Sequence, residues 1–352
     1  SRGLSNRTGS GKDAQIGMSE PLLYPLTFTP VLRDYLWGGR RLETLFGRSL
    51  PPGVTAESWE ISAHPHGSTV ADAGYWRGQP LPAIQEALGA RLLGARGEWA
   101  LARRKFPLLV KLLDARQNLS VQVHPDDAFA SVHENGELGK TEMWYVLYAD
   151  PGTELILGLQ PGVDRELLAQ AAASGALEPL QRRETVRPGQ VFAVPARTVH
   201  ALCAGAVVAE IQQNSDTTYR IYDWGRLGPD GKPRALHLAR ALEVIDFSDR
   251  PPSRAPIPLP AGPGVTRLEV VRNDYFVVEE VTLAPAAYYQ GDCDGATLEI
   301  WGCVRGQAVI ASAGARVGLP AIRFTLLPAA LGPFTVTAIG PCVCLRAYLA
   351  PV

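Results

Sequence analysis

The sequence lacks a long apolar run and lacks an excess of charge. No stretch of eighteen or more apolar residues occurs in its 352 residues, and its start does not show the charged-then-apolar layout of a signal peptide. The formal net charge is -1 and there is no long basic run, so the electrostatic footprint of a nucleic-acid-binding protein is missing. We therefore expect a cytoplasmic protein that binds neither membranes nor nucleic acid.

Cysteine is also scarce. The chain has five cysteines, an odd number spread unevenly over a long sequence, which is unlike a disulfide framework and indicates reduced thiols. Apolar residues make up 46% and charged residues 20%, a balance typical of a globular protein. Because 352 residues exceed the size at which one core usually stops growing, we expect two domains.

Composition along the chain suggests where these domains lie. Residues 1–17 are small, polar and glycine-rich and precede Met18, so we expect them to be an expression tag. The stretch DRPPSRAPIPLPAGPG is rich in proline, which stiffens the backbone and suits a crossing between domains. We place a linker at 251–263, between a catalytic domain at 18–250 and a smaller C-terminal domain at 264–352.

Short apolar runs separated by glycine and proline predict a mainly β protein with a few peripheral helices. Three- and four-residue spacing of apolar side chains predicts helices at Leu81–Leu93, Pro125–Glu134, Asp164–Ala173 and Ala235–Val244. In the C-terminal part we predict strands at Tyr275–Leu283, Leu298–Cys303, Gln307–Ala311, Arg323–Leu327 and Cys342–Leu349, as in a small sandwich or barrel. No strict repeat is visible, but the two halves are compatible with variants of one β-barrel plan.

The segment LSVQVHPDD is the first that carries chemistry. Polar and apolar residues alternate in it, so that Ser120, Gln122 and His124 share one face of a predicted strand. Burying such a polar row is costly unless the side chains have hydrogen-bond or metal partners. The pattern therefore indicates a lined pocket.

Two further segments deliver possible metal ligands. Glu142 stands at the entrance of the strand in GKTEMWYVL, and His200 follows a turn, a strand and a second turn in RPGQVFAVPARTVH, which resembles the second cupin motif. Taken alone, a histidine or glutamate is more often a hydrogen-bonded structural residue than a ligand. With Gln122 and His124 they would offer nitrogen and oxygen donors to one ion, a set that suits a catalytic zinc site.

Several ordered blocks resemble the type I mannose-6-phosphate isomerases, particularly the shorter bacterial form, over nearly all of Pro25 to Phe247. They are YLWGG, SWEISAHP, FPLLVKLLDA, LSVQVHPDD, HENGELGKTEMWY, PARTVHAL and EIQQNSDTTYRIYDWGR. The resemblance implies a cupin or jelly-roll β-barrel that interconverts mannose 6-phosphate and fructose 6-phosphate with one Zn²⁺ per chain. It also implies zinc ligands Gln122, His124, Glu142 and His200, a catalytic Arg220, and a phosphate-binding group from Ser120, Lys111 and Arg226.

Aldose–ketose isomerisation moves a proton between C2 and C1 through a cis-enediol and needs a base and an electrophile. We predict Glu210 as the base, since it precedes Arg220 by ten residues and matches an acidic position of the family. The alternative is that Glu210 forms a buried ion pair with Arg220 or a lysine. Lys140 would either contact substrate oxygens or orient Glu142.

The chain departs from the family in the last-ligand loop, where Ala196-Arg197 follows the proline that the family usually continues with glycine. We expect that loop to be stiffer or differently aimed. His64 and His66 form an H-x-H pair, but Pro65 interrupts the strand and no acidic partner is evident in the sequence, so we predict a structural or surface role. The C-terminal domain contains no histidine, and we assign it no metal.

Two other functions fit parts of the pattern. A mononuclear non-haem iron cupin dioxygenase would also use two histidines and one carboxylate. A non-catalytic sugar-binding cupin would use the same fold for recognition alone. Gln122 as a further ligand and the nearby Arg220 favour the isomerase, acting on a phosphorylated hexose as a monomer.

Overall fold

The computed structural model describes residues 22–248 and 254–351. The predicted tag at 1–17 and residues 251–253 of the predicted linker lie outside the described residues. No helix in the described ranges is long and apolar enough to span a membrane.

The part of the chain before the proline-rich segment is built mainly from strands. They are β1 Phe28–Thr29, β2 Val31–Arg33, β3 Glu57–Ile61, β4 Ala63–His64, β5 Gly67–Ser68, β6 Val70–Ala71, β7 Leu108–Asp114, β8 Val121–Val123, β9 Glu142–Ala149, β10 Glu154–Leu159, β11 Gln181–Thr185, β12 Val191–Val194, β13 His200–Leu202, β14 Ala206–Gln213 and β15 Tyr219–Tyr222.

The helices are short and lie outside the sheets. They are α1 Arg41–Thr44, α2 Leu81–Leu88, α3 Ala90–Leu93, α4 Glu98–Ala102, α5 Asp127–His133, α6 Arg165–Ser174 and α7 Leu238–Val244, with 3₁₀ turns at Ala95–Gly97 and Glu178–Leu180. The predicted helix at Leu81–Leu93 is interrupted at Gly89, whose φ of 52° ends α2 before α3 begins. The other three predicted helices are present with shifted ends, and the Asp164 carboxylate caps α6 by accepting from the Leu167 N–H at 2.8 Å.

Two antiparallel sheets face each other and form the barrel. One has the strand order β11-β10-β13-β8-β15 and the other β12-β9-β14-β7-β3-β2. Apolar side chains from both sheets fill part of the space between them, including Leu113, Val208, Leu155 and Leu202. This arrangement confirms the predicted mainly β fold and is consistent with a cupin-type barrel.

The C-terminal strands form a second pair of sheets. They are β16 Ile257–Leu259, β17 Val265–Arg272, β18 Phe276–Leu283, β19 Tyr288–Cys293, β20 Glu299–Arg305, β21 Gln307–Ser312, β22 Ala315–Pro320, β23 Phe324–Leu327, β24 Gly332–Ala338 and β25 Cys342–Leu349. The sheets have the orders β16-β17-β18-β25-β20-β23 and β19-β24-β21-β22. The five predicted strands are confirmed, but five others were missed. β17, β19, β22 and β24 have polar residues or glycine that interrupt their apolar pattern. β16 lies within the proline-rich segment predicted as a linker and pairs with β17.

The two six-stranded sheets pack against each other. One apolar core contains Val110 and Ile211 from the first of these sheets and Val278, Ile300 and Leu345 from the second. A separate core lies between the two C-terminal sheets, and a third lies between the five-stranded sheet and helices α6 and α7. All five cysteines are buried free thiols, in agreement with the reduced state predicted.

A cluster of charged side chains spans three neighbouring strands of the first six-stranded sheet. Lys111 on β7 lies opposite Trp59 on β3 and opposite Glu210 on β14. The indole N–H of Trp59 donates to Glu57 at 2.6 Å, and the Lys111 ammonium lies 3.4 Å from the same Glu57 oxygen. Buried charges require such partners, so the three strands hold one cation between two carboxylates.

The second six-stranded sheet repeats this register with an arginine. Arg346 on β25 lies opposite Trp301 on β20 and opposite Glu279 on β18. The indole of Trp301 donates to Glu299 at 2.8 Å, and Arg346 donates to Glu299 at 2.8 Å and to Glu279 at 3.0 Å. The same Glu-x-Trp, cation and Glu arrangement therefore occurs in both halves of the chain.

Candidate active site and metal centre

Three residues of the barrel bring possible metal-binding atoms together. His124 directly follows β8, Glu142 begins β9 and His200 begins β13, so all three stand at strand ends. One ligand atom from each lies within 4.8 Å of the others, and all three side chains are buried. The sequence placed these residues in the predicted metal site, and the fold brings them together from both sheets.

The two imidazole rings are held in one tautomer. His124 Nδ1 donates to the Thr217 carbonyl at 2.8 Å, and His200 Nδ1 donates to the Thr198 carbonyl at 2.8 Å. Burial lowers the pKa of His124 to about 3 and also lowers that of His200, so both rings are neutral and each Nε2 carries a lone pair. These two Nε2 atoms are 3.1 Å apart, a distance at which two lone pairs repel unless a cation lies between them.

Glu142 completes the set of donors. Its Oε1 lies 3.2 Å from His124 Nε2, and its Oε2 lies 3.6 Å from His200 Nε2 and is buried without a hydrogen-bond partner. Burial opposes its ionisation, but its charged surroundings, chiefly the Lys140 ammonium, outweigh burial and lower the pKa of Glu142 well below its usual value. Two neutral imidazoles and an ionised, unsatisfied carboxylate fit a divalent metal ion.

Gln122 lies beside these residues. It is in the middle of β8, opposite His200 on one neighbouring strand and opposite Arg220 on the other. Its side chain lines a cavity of about 300 Å³ that also reaches Glu142. We call this the central cavity; it is lined by Tyr35, Trp37, Glu57, Lys111, Leu113, Leu119, Ser120, Gln122, Lys140, Glu142, Trp144, Glu210, Asp216, Thr218, Arg220 and Arg234.

Glu210 is a buried carboxylate in the wall of the central cavity. Its Oε2 accepts from the Trp144 indole at 2.8 Å, and its Oε1 lies 4.0 Å from the Lys111 ammonium. Burial raises the pKa of Glu210 to about 7, the charge of Glu142 adds to this shift, and Lys111 opposes it. Burial opposes the charge of Lys111, but Glu57 and Glu210 outweigh it and raise the pKa of that lysine.

Lys140 lies next to the donor set. Its ammonium is 3.1 Å from Glu142 Oε1, and the lysine side chain is almost completely buried. This contact matches one of its two predicted roles, the orientation of Glu142. The lysine also lines the central cavity, so the other role, contact with substrate oxygens, stays open.

The three residues predicted to bind phosphate do not all line the central cavity. Ser120 and Lys111 line the central cavity, whereas Arg226 is not among its lining residues. Arg226 donates to the Asn118 carbonyl at 2.5 Å and to Asp223 at 2.6 Å. Its side chain is therefore used in contacts beside the cavity.

Arg234, which was not among the predicted site residues, lines the cavity instead. The chain turns between Leu227 and Pro233, which form an isolated β-bridge, and so returns Arg234 to Asp223. The turn residues of GPDGKP are the sequence signal that predicts such a return. Asp216, Glu57, Thr218 and Tyr35 were also missed, because nothing in their local sequence distinguishes them from surface or core residues.

The loop that precedes His200 connects the two ligand segments. Arg197 has a φ of 70°, in the left-handed region that favours glycine. Its backbone N–H donates to the His124 carbonyl at 2.8 Å, and its Nε donates to the Val244 carbonyl at 2.9 Å. The loop thus carries an arginine in a conformation that glycine would adopt without strain.

A second cluster of possible ligands consists of His64, His66 and Asp216. His66 Nδ1 lies 2.8 Å from Asp216, so the H-x-H pair does have an acidic neighbour. However, His64 Nδ1 accepts from the His66 N–H at 3.1 Å, and its Nε2 lies 3.3 Å from Glu137. Both ring nitrogens of His64 are occupied, which agrees with the structural role predicted for it.

A larger cavity of about 650 Å³ lies elsewhere, along β10 and the segment Asp246–Ser248. Its described lining includes Leu157, Val163 and Phe247, and no histidine or cysteine. The smaller central cavity is where the chemically active side chains meet, so we regard it as the candidate active site.

The barrel and its donor set define the class of protein: a cupin-type β protein with a candidate metal centre. The family model described as phosphomannose isomerase type I, catalytic domain, matches residues 26–145. GmuF of Bacillus subtilis, a probable mannose-6-phosphate isomerase, is 39% identical over 318 residues, which cover 90% of this chain and 96% of that protein. The chain belongs to the type I phosphomannose isomerase family.

Other relatives agree with this assignment. The mannose-6-phosphate isomerase ManA of Bacillus subtilis is 44% identical over 227 residues, covering 64% of this chain and 70% of ManA. The crystal structure of the mannose 6-phosphate isomerase from Bacillus subtilis superposes with a TM-score of 0.83 at 34% identity, covering 92% of this chain and 99% of that one. The likeness therefore extends through both halves of the chain.

Proposed function

We propose that this protein is a zinc-dependent mannose-6-phosphate isomerase, which interconverts mannose 6-phosphate and fructose 6-phosphate. Its family membership supports the reaction. The observation that carries the metal dependence is the position of the His124 and His200 Nε2 atoms, which are 3.1 Å apart with their lone pairs facing each other. Beside them, Oε2 of Glu142 is buried without a hydrogen-bond partner.

Gln122, His124, Glu142 and His200 would hold one Zn²⁺ per chain. When bound, the ion would act as a Lewis acid toward a sugar oxygen and stabilise negative charge that develops there. The carbonyls of Thr217 and Thr198 fix the orientation of the two rings, so the donor atoms are in place before binding.

Glu210 is proposed as the base that moves a proton between C2 and C1 through a cis-enediol. A carboxylate with a pKa near 7 is partly ionised at neutral pH and can both accept and return a proton. The indole of Trp144 holds one of its oxygens and thereby orients the carboxylate. The other predicted role, a buried ion pair with a lysine, is also supported, because Lys111 lies 4.0 Å away.

Arg220 and Lys140 are proposed to supply positive charge. Arg220 lines the central cavity, and its guanidinium donates a hydrogen bond of 2.8 Å to the Ala235 carbonyl. A fixed positive charge in a site shielded from water stabilises an enediolate more than the neutral sugar. Lys140 would keep Glu142 ionised and oriented, and its cavity-lining position is compatible with contact to substrate oxygens.

The first experiment is the coupled conversion of mannose 6-phosphate to fructose 6-phosphate before chelation, after chelation and after zinc is restored. We expect activity to be lost with the chelator and regained with zinc. Zinc bound at one equivalent with no conversion would refute the proposal. Oxygen consumption by iron-loaded protein would then point to the dioxygenase, and sugar binding without turnover would point to the non-catalytic cupin.

The role of Glu210 is tested by Glu210→Gln. We expect kcat to fall by about 10²- to 10⁴-fold with the zinc content unchanged. Glu166→Gln, on the exposed face of α6, is the control and should leave kcat unchanged. Full turnover by Glu210→Gln with zinc retained would show that another group transfers the proton.

Further proposals concern the setting of the reaction. Of the residues that the resemblance implies for the substrate's phosphate, Ser120 lines the cavity and the Arg226 segment lies beside it, so the phosphate would bind at that end. Lys111, held between Glu57 and Glu210, would not contact it. We also propose a cytoplasmic monomer with a catalytic domain at 18–250 and a metal-free domain at 264–352. The register shared by the two six-stranded sheets supports one plan for both halves.

A further inference from the structure

The central cavity is lined by charges of both signs. Its carboxylates are Glu57, Glu142, Glu210 and Asp216, and its cations are Lys111, Lys140, Arg220 and Arg234. The two signs are not mixed evenly. The charged groups that act on Lys111 are all carboxylates, Glu57 and Glu210 first, whereas Arg220 is affected mainly by Arg234, Asp223 and Arg226. The cavity therefore has a carboxylate-and-lysine side and an arginine side.

The first side has an excess of negative charge. With every carboxylate ionised, its four acids outnumber its two lysines by two charges. This excess is what a divalent cation at the donor set would neutralise. The metal proposed above therefore accounts for the charge of this half of the cavity.

The arginine side has the opposite excess. Arg220, Arg226 and Arg234 are gathered around one carboxylate, Asp223, which leaves two positive charges without a described counter-charge among the groups that act on Arg220. Burial and the positive charge of Arg234 lower the pKa of Arg220, a sign that the arginines repel each other. A dianion of about two charges, such as a phosphate monoester, would relieve this repulsion.

The three arginines do not have the same access to the cavity. Asp223 binds Arg234 through Nε at 2.7 Å and Nη2 at 2.6 Å, and within the described residues Nη1 of Arg234 has no hydrogen bond. Arg220 and Arg234 line the cavity. In Arg226, by contrast, Nη1 donates to the Asn118 carbonyl and Nη2 donates to the same Asp223. Arg234 is thus held rigidly by one edge and presents the other.

We infer that Arg234 binds the phosphate group of the substrate, and that Arg226 is a positioning residue that acts through Asp223. This inference rests on the proposed function, because it assigns one end of a sugar phosphate to the arginine side and the other to the donor set. Direct phosphate contact is thereby assigned to Arg234 instead of Arg226, the residue that the family resemblance implied.

The test uses Arg234→Ala and Arg234→Lys, assayed with mannose 6-phosphate and with inorganic phosphate as a competitive inhibitor. We expect Arg234→Ala to raise KM and the phosphate Ki each by about ten- to a hundredfold, with kcat changed less than threefold. Arg234→Lys keeps the charge but lacks the planar guanidinium, so its KM and phosphate Ki should lie between those of the wild type and Arg234→Ala. Arg77→Ala, at an exposed arginine outside the cavity lining, should change none of these values.

The positioning role of Arg226 is tested by a double-mutant comparison. If Arg226 acts only through Asp223 on Arg234, then Arg226→Ala raises KM by itself but adds little in the Arg234→Ala background. A multiplicative effect in the double variant would show that Arg226 contacts phosphate directly and would overturn this part. Unchanged KM and Ki in Arg234→Ala would overturn the inference as a whole.

The failure of this inference can be told apart from failure of the proposed function. A wild-type protein without isomerase activity would refute the function, yet inorganic phosphate would still stabilise the zinc-loaded protein in a thermal-shift titration. That stabilisation should be present in the wild type and weakened at least tenfold in apparent affinity in Arg234→Ala. Equal stabilisation of both proteins by phosphate would refute the phosphate site independently of turnover.

Discussion

Replacing Lys111 by methionine tests how the buried charges control the proposed base. The Lys111 ammonium is held 3.4 Å from Glu57 and 4.0 Å from Glu210, and its side chain is 2% exposed. Methionine fills similar space without charge. Because Lys111 opposes the raised pKa of Glu210, its removal should raise that pKa further above about 7.

The magnitude follows from the distance. Two unit charges 4.0 Å apart attract by about 4 kcal/mol at an effective dielectric constant of about 20, which sets an upper limit of about three pKa units. We therefore expect the acidic limb of kcat/KM to move up by about one to three pH units relative to wild type. Leaving Glu57 and Glu210 without their shared cation should also cost about 3–5 kcal/mol of stability.

The assay is the pH profile of kcat/KM for mannose 6-phosphate between pH 5 and 10, with urea unfolding measured on the same samples. Arg346→Met is the matched control, because Arg346 holds the equivalent position between Glu299 and Glu279 in the C-terminal sheet. It should lower stability but leave the pH profile unchanged. A Lys111→Met profile that coincides with wild type would refute the assignment of Glu210 as the titrating base.

Three other changes have expected outcomes. Burial opposes ionisation of Glu137, but its partners, including Lys105, lower its pKa to about 2. The ionised carboxylate therefore stabilises the fold fully above pH 4.5, and this stabilisation is lost toward pH 2. Glu137→Gln should cost about 3 kcal/mol in urea unfolding at pH 7 and progressively less below pH 4.5. Gly38→Ala places a Cβ 2.5 Å from a backbone nitrogen and should lower stability by about 1–3 kcal/mol, whereas Gly318→Ala, with nothing within 4 Å, should not. Arg197→Gly relieves left-handed strain and should be about 1 kcal/mol more stable than Arg197→Ala, and equal melting curves would contradict this.

The sequence by itself determined much of the site. The alternation in LSVQVHPDD placed Gln122 and His124 on one strand face, and strand patterns placed Glu142 and His200 at strand ends. Strand period and turn chemistry are local properties, so a mainly β fold and these candidates could be read directly. The strands β17, β19, β22 and β24 could not, because their polar and glycine positions obscure the period.

Only the tertiary structure decided which charges meet. The pairing of β7 with β3 and β14 placed Lys111 between two carboxylates, although they lie far apart in sequence. A turn returned Arg234 to Asp223 and the central cavity, while Arg226, which the family pattern favoured, lies beside the cavity. Local sequence does not determine these contacts, because they depend on strand register and on the path of loops between distant segments.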